Sequence, residues 1–444
     1  MRIALNGEHL ARGTFDAFGA AGQTCLTVGN ERPEAIFAAA AKLGMKREGA
    51  CVVRVEGENP SAAAAQALMG YFHGAYRFSK DALRRVNRWK KDREVFVMRD
   101  ELCDYGAGSL VIDCDSDIYD ALGRAAILAR CEGYARMLGN LPGNYLRAAD
   151  MERYLTDMAQ ACGLTMRVLG DAELSELGCG GILSVNQGSS TEAKLVVLEH
   201  RPNDNEPVAL VGKGVMFDAG GYHLKDIGGM NGMKFDMCGA ATVAACMEYL
   251  ARSKSDSNVI AVLPLVENVI SPDAVKMGDV ITTLSGKTVE VYNTDAEGRL
   301  ILCDALTYAQ RLGAKTVADL ATLTNGAHSA LGDDCGAYFC NDEAMARSVE
   351  AIAGKCGENV WRMPLAKRYH DALKWSEVAD IANYAPGFGA AASTAACFLE
   401  EFIEEGTKWV HIDAVGPSSR RGGSAVECRG ATGYGLKMLA QICG

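Results

Sequence analysis

The sequence predicts an α/β protein, with a small N-terminal α/β domain followed by a larger α/β domain built on a mixed sheet flanked by helices. Three observations predict this. Short β-rich runs alternate with Ala-rich helical stretches over the first 115 residues. An amphipathic pattern then carries Ile118, Leu122, Ala125, Ala126, Ala129 and Cys131, and breaks at the dense turn signal Gly139-Asn140-Leu141-Pro142-Gly143-Asn144. Beyond that turn, strand and helix patterns alternate again to the C-terminus. These boundaries assign residues 1–115 to the first domain, 116–140 to a linking helix and 141–444 to the second domain.

Taken in order, the β-rich runs 24–28, 50–55, 94–98 and 109–113 read as strands, and 34–43 and 61–73 as helices. In the larger domain the pattern gives a helix at 149–162, a strand at 164–168, a helix at 171–177 and strands at 193–200 and 207–211. Strands at 258–264, 279–281, 316–321 and 408–413 follow, with a helix at 300–312. Sheets of this kind carry their ligands at the carboxyl ends of their strands. No internal repeat or low-complexity tract interrupts the pattern.

The chain has 444 residues, 49% of them hydrophobic and 23% charged, which is the composition of a globular protein with a sizeable core. Its 45 Lys and Arg against 56 Asp and Glu give a formal charge of −11, which argues against nucleic acid as the main partner. The one strongly cationic run, residues 84–93 around Trp89, reads either as a nucleic-acid contact or as a solvated helix face or subunit contact. Sixteen cysteines are scattered from Cys25 to Cys443 with no C-x-x-C pair, the pattern of reduced core cysteine in a cytosolic protein. Polar residues interrupt the N-terminus before a signal-peptide core can form, and no run of about 18 apolar residues suits a membrane span. A cytoplasmic location without a membrane partner is expected.

Chemistry-bearing residues concentrate at three places. After the strand at 207–211 comes Gly212-Lys213-Gly214-Val215-Met216-Phe217-Asp218-Ala219-Gly220-Gly221-Tyr222-His223-Leu224-Lys225, where glycines let backbone approach closely while long side chains converge. Lys213 is followed by Gly214 rather than Ser or Thr, so this is not a phosphate-binding P-loop. Asp236 precedes an Ala-rich helix and reads as its N-cap or as part of a site. The loop Asn293-Thr294-Asp295-Ala296-Glu297-Gly298-Arg299-Leu300 reads as a metal-binding loop or as a solvated turn with an internal Arg299 salt bridge.

Brought together, Asp218, Asp236, Asp295 and Glu297 would repel one another unless cations were bound. Hard oxygen ligands in that number suit a pair of divalent ions about 3.5–4 Å apart, an arrangement that activates water against an ester or amide. No G-x-S-x-G elbow or H-E-x-x-H helix competes with this site, and His411-Ile412-Asp413 reads as a satisfied structural pair.

Residues 211–243 and 293–300, the latter an unbroken Asn-Thr-Asp-Ala-Glu-Gly-Arg-Leu, closely resemble the di-metal leucyl aminopeptidase family. Ala321-Thr322-Leu323-Thr324, Trp361-Arg362-Met363-Pro364-Leu365 and His411-Ile412-Asp413 look most like its bacterial peptidase B branch. The resemblance covers the chain well from about Asp117 onward. Before that it is weak, apart from Gly74-Ala75-Tyr76-Arg77-Phe78.

The resemblance implies that residues 141–444 form a catalytic domain of a metal-dependent aminopeptidase, which releases N-terminal residues from peptides with a free N-terminus. It implies that Lys213, Asp218, Asp236, Asp295 and Glu297 hold two divalent ions, Mn²⁺ or Zn²⁺. Lys225 and Arg299 would flank the reacting carbonyl, Lys225 stabilising the oxyanion and Arg299 holding a bicarbonate as base. Met233, Asn293, Thr322, Leu323 and Asn325 would lie along the substrate channel, and the assembly would be a homohexamer. Lys213 can ligate only as the neutral amine.

Three positions depart from the family pattern: His223, Cys238 and Asn325. They bear on the shape of the first-residue pocket rather than on metal binding. Arg420-Arg421 reads as a contact for an acidic N-terminal residue or as a solvated loop. The rival functions are a di-metal hydrolase of a non-peptide amide and nucleic-acid binding through residues 84–93.

Overall fold

The structure, a computed structural model, describes residues 2–4, 10–11, 24–86, 94–423 and 429–444. The strands Thr24–Val28, Ala50–Val55 and Ser109–Asp113 form the parallel part of a five-stranded N-terminal sheet, extended antiparallel by Arg2–Ala4 and Leu10–Ala11. Helices Pro33–Gly44 and Pro60–Ala75 each begin with proline, which suits a first helical turn, and cover the sheet with Ala40, Ala64, Ala67 and Leu68.

One strand expected here is a helix. The run 94–98 is β-branched and aromatic, yet it forms the short helices Glu94–Val97 and Arg99–Leu102. Tertiary packing overrides its propensity: Phe96 meets the ring of Tyr154 edge-on at 5.7 Å, and the Arg99 guanidinium lies 4.3 Å from the Phe96 centroid. Of the basic run 84–93, residues 87–93 lie outside the described residues. Arg84 pairs with Asp81 at 2.9 Å and Arg85 with Glu101 at 2.5 Å, so its first two charges already have partners.

The helix Tyr119–Asn140 joins two cores. Leu122, Ala125 and Ala129 pack with the N-terminal sheet, whereas Tyr134, Met137 and Leu138 belong to the core of the larger sheet. Its Arg136 is fully buried and donates to the carbonyls of His73 at 2.9 Å and Ala431 at 3.1 Å. Because these carbonyls come from opposite ends of the chain, the helix is a shared wall.

The larger sheet has nine strands. Its main path runs Val360–Arg362, Gly336–Cys340, Lys408–Asp413, Thr316–Ala321, Val208–Gly212, Val259–Asn268, Lys194–His200 and Thr165–Leu169, and Gly214–Asp218 pairs separately with Val259–Asn268. Four central strands, Lys408–Asp413 through Val259–Asn268, are mutually parallel, and antiparallel pairs flank them on both sides. Parallel strands read as continuous apolar runs because both faces are covered, and every residue of Val259–Asn268 is buried. Helix Cys238–Arg252 packs close on one face; a Cβ added to Gly239 would lie 2.2 Å from the Leu320 carbonyl oxygen.

Two local expectations are corrected at this sheet. The helix expected from residue 300 starts at Glu297, so Glu297 and Arg299 lie in its first turn rather than in a loop. Asp236 is not a helix cap. It closes the 3-10 turn Met233–Phe235, and the following helix starts at Cys238 without a side-chain cap.

Farther along the Glu297–Arg311 helix, fully buried Asp304 accepts from the backbone N–H groups of Ile182 at 3.0 Å and Leu284 at 2.7 Å. Burial, opposed by these N–H groups, raises its carboxyl to about 7 from an ordinary 3.8. A raised folded value means that protonation favours the folded state. Stability from this group therefore falls as pH rises between 3.8 and about 7, then levels off. The unfolding free energy of the native protein minus that of Asp304→Asn should decline across this window, as read by denaturant titrations at stepped pH. A flat difference would contradict the assignment.

Candidate metal centre

The expected ligands converge from strand ends, for Lys213 and Asp218, from the 3-10 turn that Asp236 closes, and from the start of the Glu297–Arg311 helix, for Asp295 and Glu297. Lys213 directly follows Val208–Gly212, and its backbone is pinned on both sides: its N–H donates to Leu320 at 3.1 Å and its carbonyl accepts from Ala240 at 2.9 Å. Asp218 ends its own strand opposite Asn268. Asp295 and Glu297 sit at and just before the start of the Glu297 helix, where the N-terminal dipole favours negative charge.

These elements bring the side chains together. Lys213 Nζ lies 2.8 Å from Asp236 Oδ1 and 2.8 Å from Glu297 Oε1, and donates to the Thr322 carbonyl at 2.7 Å. Lys225 Nζ lies 2.7 Å from Asp218 Oδ2 and also pairs with Asp295 Oδ1. Carboxylate oxygens of Asp218, Asp236 and Glu297 lie within 4.8 Å of one another. The two lysines are thus the counter-ions of four carboxylates, and negative charge remains in excess.

The electrostatics follow from that excess. Burial, then the neighbouring carboxylates, push Asp218 and Asp295 above the usual carboxylate range; burial does the same to Asp236, against the pull of Lys213. Burial disfavours charge on Lys213 and Lys225, but the carboxylates outweigh it and hold both above the usual lysine range. Two buried oxygens, Asp236 Oδ2 and Glu297 Oε2, have no hydrogen-bond partner among the described residues. A buried acceptor without a donor is costly, and a divalent cation satisfies both the orphaned oxygens and the excess charge. The residues therefore fit metal ions. Lys213 would join such a ligand set only by giving up its proton.

Arg299 is buried and makes no carboxylate pair among the described residues, which removes the reading of the loop as a turn with an internal salt bridge. Its Nη1 donates to the Asn383 carbonyl at 2.8 Å, and its Nε has no partner among the described residues. Burial lowers it to about 10, against the opposing pull of Glu297, Tyr384 and Asp413.

The expected channel residues surround this centre to different degrees. Thr322 touches it directly, its Oγ1 donating to Asp236 Oδ1 at 2.7 Å. Leu323 Cδ1 and the Lys213 stem crowd Gly298, and the Asn293 Oδ1 accepts from Asp295 N–H at 2.8 Å. Met233 lies on the 3-10 turn leading to Asp236, and exposed Asn325 opens the helix Asn325–Leu331. Exposed His223 donates its N–H to Thr294 Oγ1 at 2.8 Å, and Cys238 is buried beside Gly139. Arg420 pairs with Asp334 at 2.9 Å, which favours the solvated-loop reading of Arg420-Arg421.

Four supporting residues escaped the sequence reading. Asn268 Nδ2 donates to Asp218 Oδ1 at 2.8 Å and to the Thr294 carbonyl at 3.0 Å. Thr294 Oγ1 donates to Gly220 at 2.7 Å, tying the Asp218 turn to the Asp295 loop. Fully buried Asn383 accepts from the N–H groups of Tyr292 at 2.9 Å and Asn293 at 3.1 Å while its carbonyl holds Arg299. Asp413 does not pair with His411, which bonds Asp319 instead at 2.5 Å; Asp413 accepts from Leu323 N–H at 3.0 Å and Thr324 Oγ1 at 2.7 Å. A lone amide or a single strand-end aspartate carries no sequence signal of such a role.

A mixed sheet bearing this carboxylate and lysine cluster fits a metal-dependent hydrolase, and comparison with known proteins fixes the family. The description "Cytosol aminopeptidase family, catalytic domain" matches residues 133–440, and the chain belongs to that family. A probable cytosol aminopeptidase of Chlorobium limicola is 41% identical over 384 residues, covering 84% of this chain and 74% of the relative. One from Bacillus subtilis is 42% identical over 310 residues, covering 69% of this chain and 62% of the relative. Among solved structures, the bottromycin maturation enzyme BotP in complex with Mn is similar at a TM-score of 0.82 and 31% identity, covering 94% of this chain and 88% of that one.

The centre depends on a missing side chain. A Cβ on Gly298 would lie 2.5 Å from Lys213 Cε and 2.7 Å from its Nζ. Alanine normally favours a helix by about 1 kcal/mol over glycine, but here the clash decides. Gly298→Ala should displace Lys213 and lower kcat/KM on an aminoacyl chromogenic substrate by roughly 10- to 100-fold. Unchanged activity in a folded variant would contradict the packing.

Proposed function

We propose that this chain cleaves the first peptide bond of substrates with a free N-terminus, using two divalent ions held by Lys213, Asp218, Asp236, Asp295 and Glu297. The observation that carries this reading is the convergence of four buried carboxylates on two lysines, with two oxygens left unpartnered. When bound, the ions supply Lewis acidity and lower the pKa of water into the neutral range.

The chain's own residues would do the rest. Lys225 aims an ammonium into the cluster from the 218–225 turn and would stabilise negative charge developing on the carbonyl oxygen. Arg299, buried with an unpaired Nε, would hold a small anion such as bicarbonate to accept the proton of the attacking water. Thr322, Leu323, Asn325, Met233 and Asn293 would orient the substrate, and Asp413 would fix the Leu323–Thr324 backbone that presents it. The ions are proposed as Mn²⁺ or Zn²⁺, because oxygen and amine donors accept both.

A homohexamer and kinship with the peptidase B branch are proposed on the resemblance of motifs, and a cytoplasmic location on the scattered cysteines without a C-x-x-C pair. Among the described residues no helix is long and apolar enough to cross a membrane. A split into domains at 1–115 and 141–444, joined by a linking helix at 116–140, is proposed from the sequence pattern, although Tyr76, Ala82, Leu102 and Cys103 pack into the core of the larger sheet.

The test is hydrolysis of a panel of aminoacyl substrates by metal-reconstituted protein. Asp295→Ala should lower kcat by at least about a thousandfold while leaving the unfolding midpoint within a few degrees, since the side chain is one-quarter exposed. Blocking the substrate's α-amine by acetylation should abolish turnover. Equal turnover of blocked and free substrates would favour a hydrolase of non-peptide amides instead.

A further inference from the structure

The stretch between helix Lys367–Asp371 and helix Ala391–Glu400 carries Asn383, which holds Arg299 and Asn293. Its two ends meet at a second group of metal-type donors, apart from the expected ligands of the centre. His370, Cys397 and Glu400 each offer one donor atom, all within 4.8 Å of one another. His370 Nε2 faces Glu400 Oε2 at 2.9 Å, and its Nδ1 faces Glu401 Oε1 at 2.9 Å. Glu401 is itself fixed, since Lys287 Nζ donates to its Oε2 at 2.9 Å and to its carbonyl at 2.5 Å. The Cys397 thiol is fully buried, whereas the side chains of His370 and Glu400 are 20% and 24% exposed, which leaves a path for an ion.

We propose that His370, Cys397 and Glu400 form a separate site for a zinc-class divalent ion, with water completing the shell and Glu401 orienting His370 through Nδ1. One imidazole nitrogen, one thiolate and one carboxylate oxygen make a borderline-soft set that selects Zn²⁺ or Co²⁺ over Mg²⁺ and Ca²⁺. Tetrahedral ligation at ordinary bond lengths needs donors about 3.3–3.7 Å apart. The 2.9 Å contact must open slightly and the wider separations, none above 4.8 Å, must close by about 1 Å, which side-chain rotation supplies. The Glu401–His370 contact supplies the carboxylate–histidine support that ligating imidazoles use.

Binding balances by release of two protons to solvent, one from His370 Nε2 and one from the Cys397 thiol. Hydrogen bonds with Cys397, Glu400 and Glu401 push His370 up to about 11, so the ion competes with a proton and affinity rises with pH. Of the other charged groups at this place, Lys287 and Lys374 face Glu401 rather than the donors, and Asp371, whose charge His370 favours, is paired with Lys367. A bound ion ties together the two ends of the stretch bearing Asn383.

The test uses the full chain. Zinc is counted by elemental analysis after equilibrium dialysis, and cobalt substitution is followed for the thiolate-to-metal charge-transfer band, which an oxygen-and-amine centre cannot give. The native protein should bind one zinc per chain more than Cys397→Ser and show the band. Cys397→Ser should lose both, and Cys238→Ser, which removes a thiol two residues from Asp236, should keep both. Glu400→Gln, on the partly exposed side, should weaken zinc binding by at least about 10-fold. No band in the native protein, a band that survives Cys397→Ser, or equal zinc counts in the two would overturn the proposal. If Cys397→Ser does not fold, unchanged zinc affinity in Glu400→Gln overturns it instead.

Discussion

Four carboxylates in a water-poor pocket repel one another, and this repulsion is the constraint on which the rest of the molecule depends. Lys213 and Lys225 each bridge two of them, yet the cluster keeps more negative than positive charge and two oxygens without partners. Clusters that carry such a cost are concentrated at binding and catalytic sites. The parallel centre of the sheet makes the arrangement possible, because parallel neighbours end on the same edge. Lys213, Asp218 and Thr322 all leave the sheet there, and the Glu297 helix points its N-terminus at them.

Around the charged groups lies a layer of neutral amides and hydroxyls that fixes the backbone. Asn268 and Thr294 bind the Asp218 turn to the Asp295 loop, and Asn383 holds that loop and Arg299 at once. Preorganisation of this kind means that the ligands need not be gathered when a substrate arrives. The His370–Cys397–Glu400 group lies on the helices that flank the stretch carrying Asn383, so an ion bound there would bear on the Arg299 side of the centre through covalent continuity.

Much of this was legible in the sequence, for identifiable reasons. The central strands are continuous apolar runs, and the ligand carboxylates stand at their ends beside glycines, so both the α/β class and the cluster emerge from local pattern. What escaped was fixed by distant partners. Residues 94–98 have strand propensity and become helical because Phe96 packs on Tyr154. Asp236 looks like a cap because capping is local, whereas its partners Lys213 and Thr322 are 23 and 86 residues away. Asp413 stands two residues from His411 and suggests a pair, but in a strand such residues share a face without pairing, and each bonds across the sheet or to the following loop.

The central claim is that the excess negative charge at the strand ends serves to hold two divalent ions. Anomalous diffraction from crystals of the full chain grown with Mn²⁺ tests it most directly. The account predicts two peaks among the side chains of Lys213, Asp218, Asp236, Asp295 and Glu297, with Asp236 Oδ2 and Glu297 Oε2 both ligating. Crystals grown with the ion that show no peak there, with Lys213 still paired to Asp236 and Glu297, would contradict it.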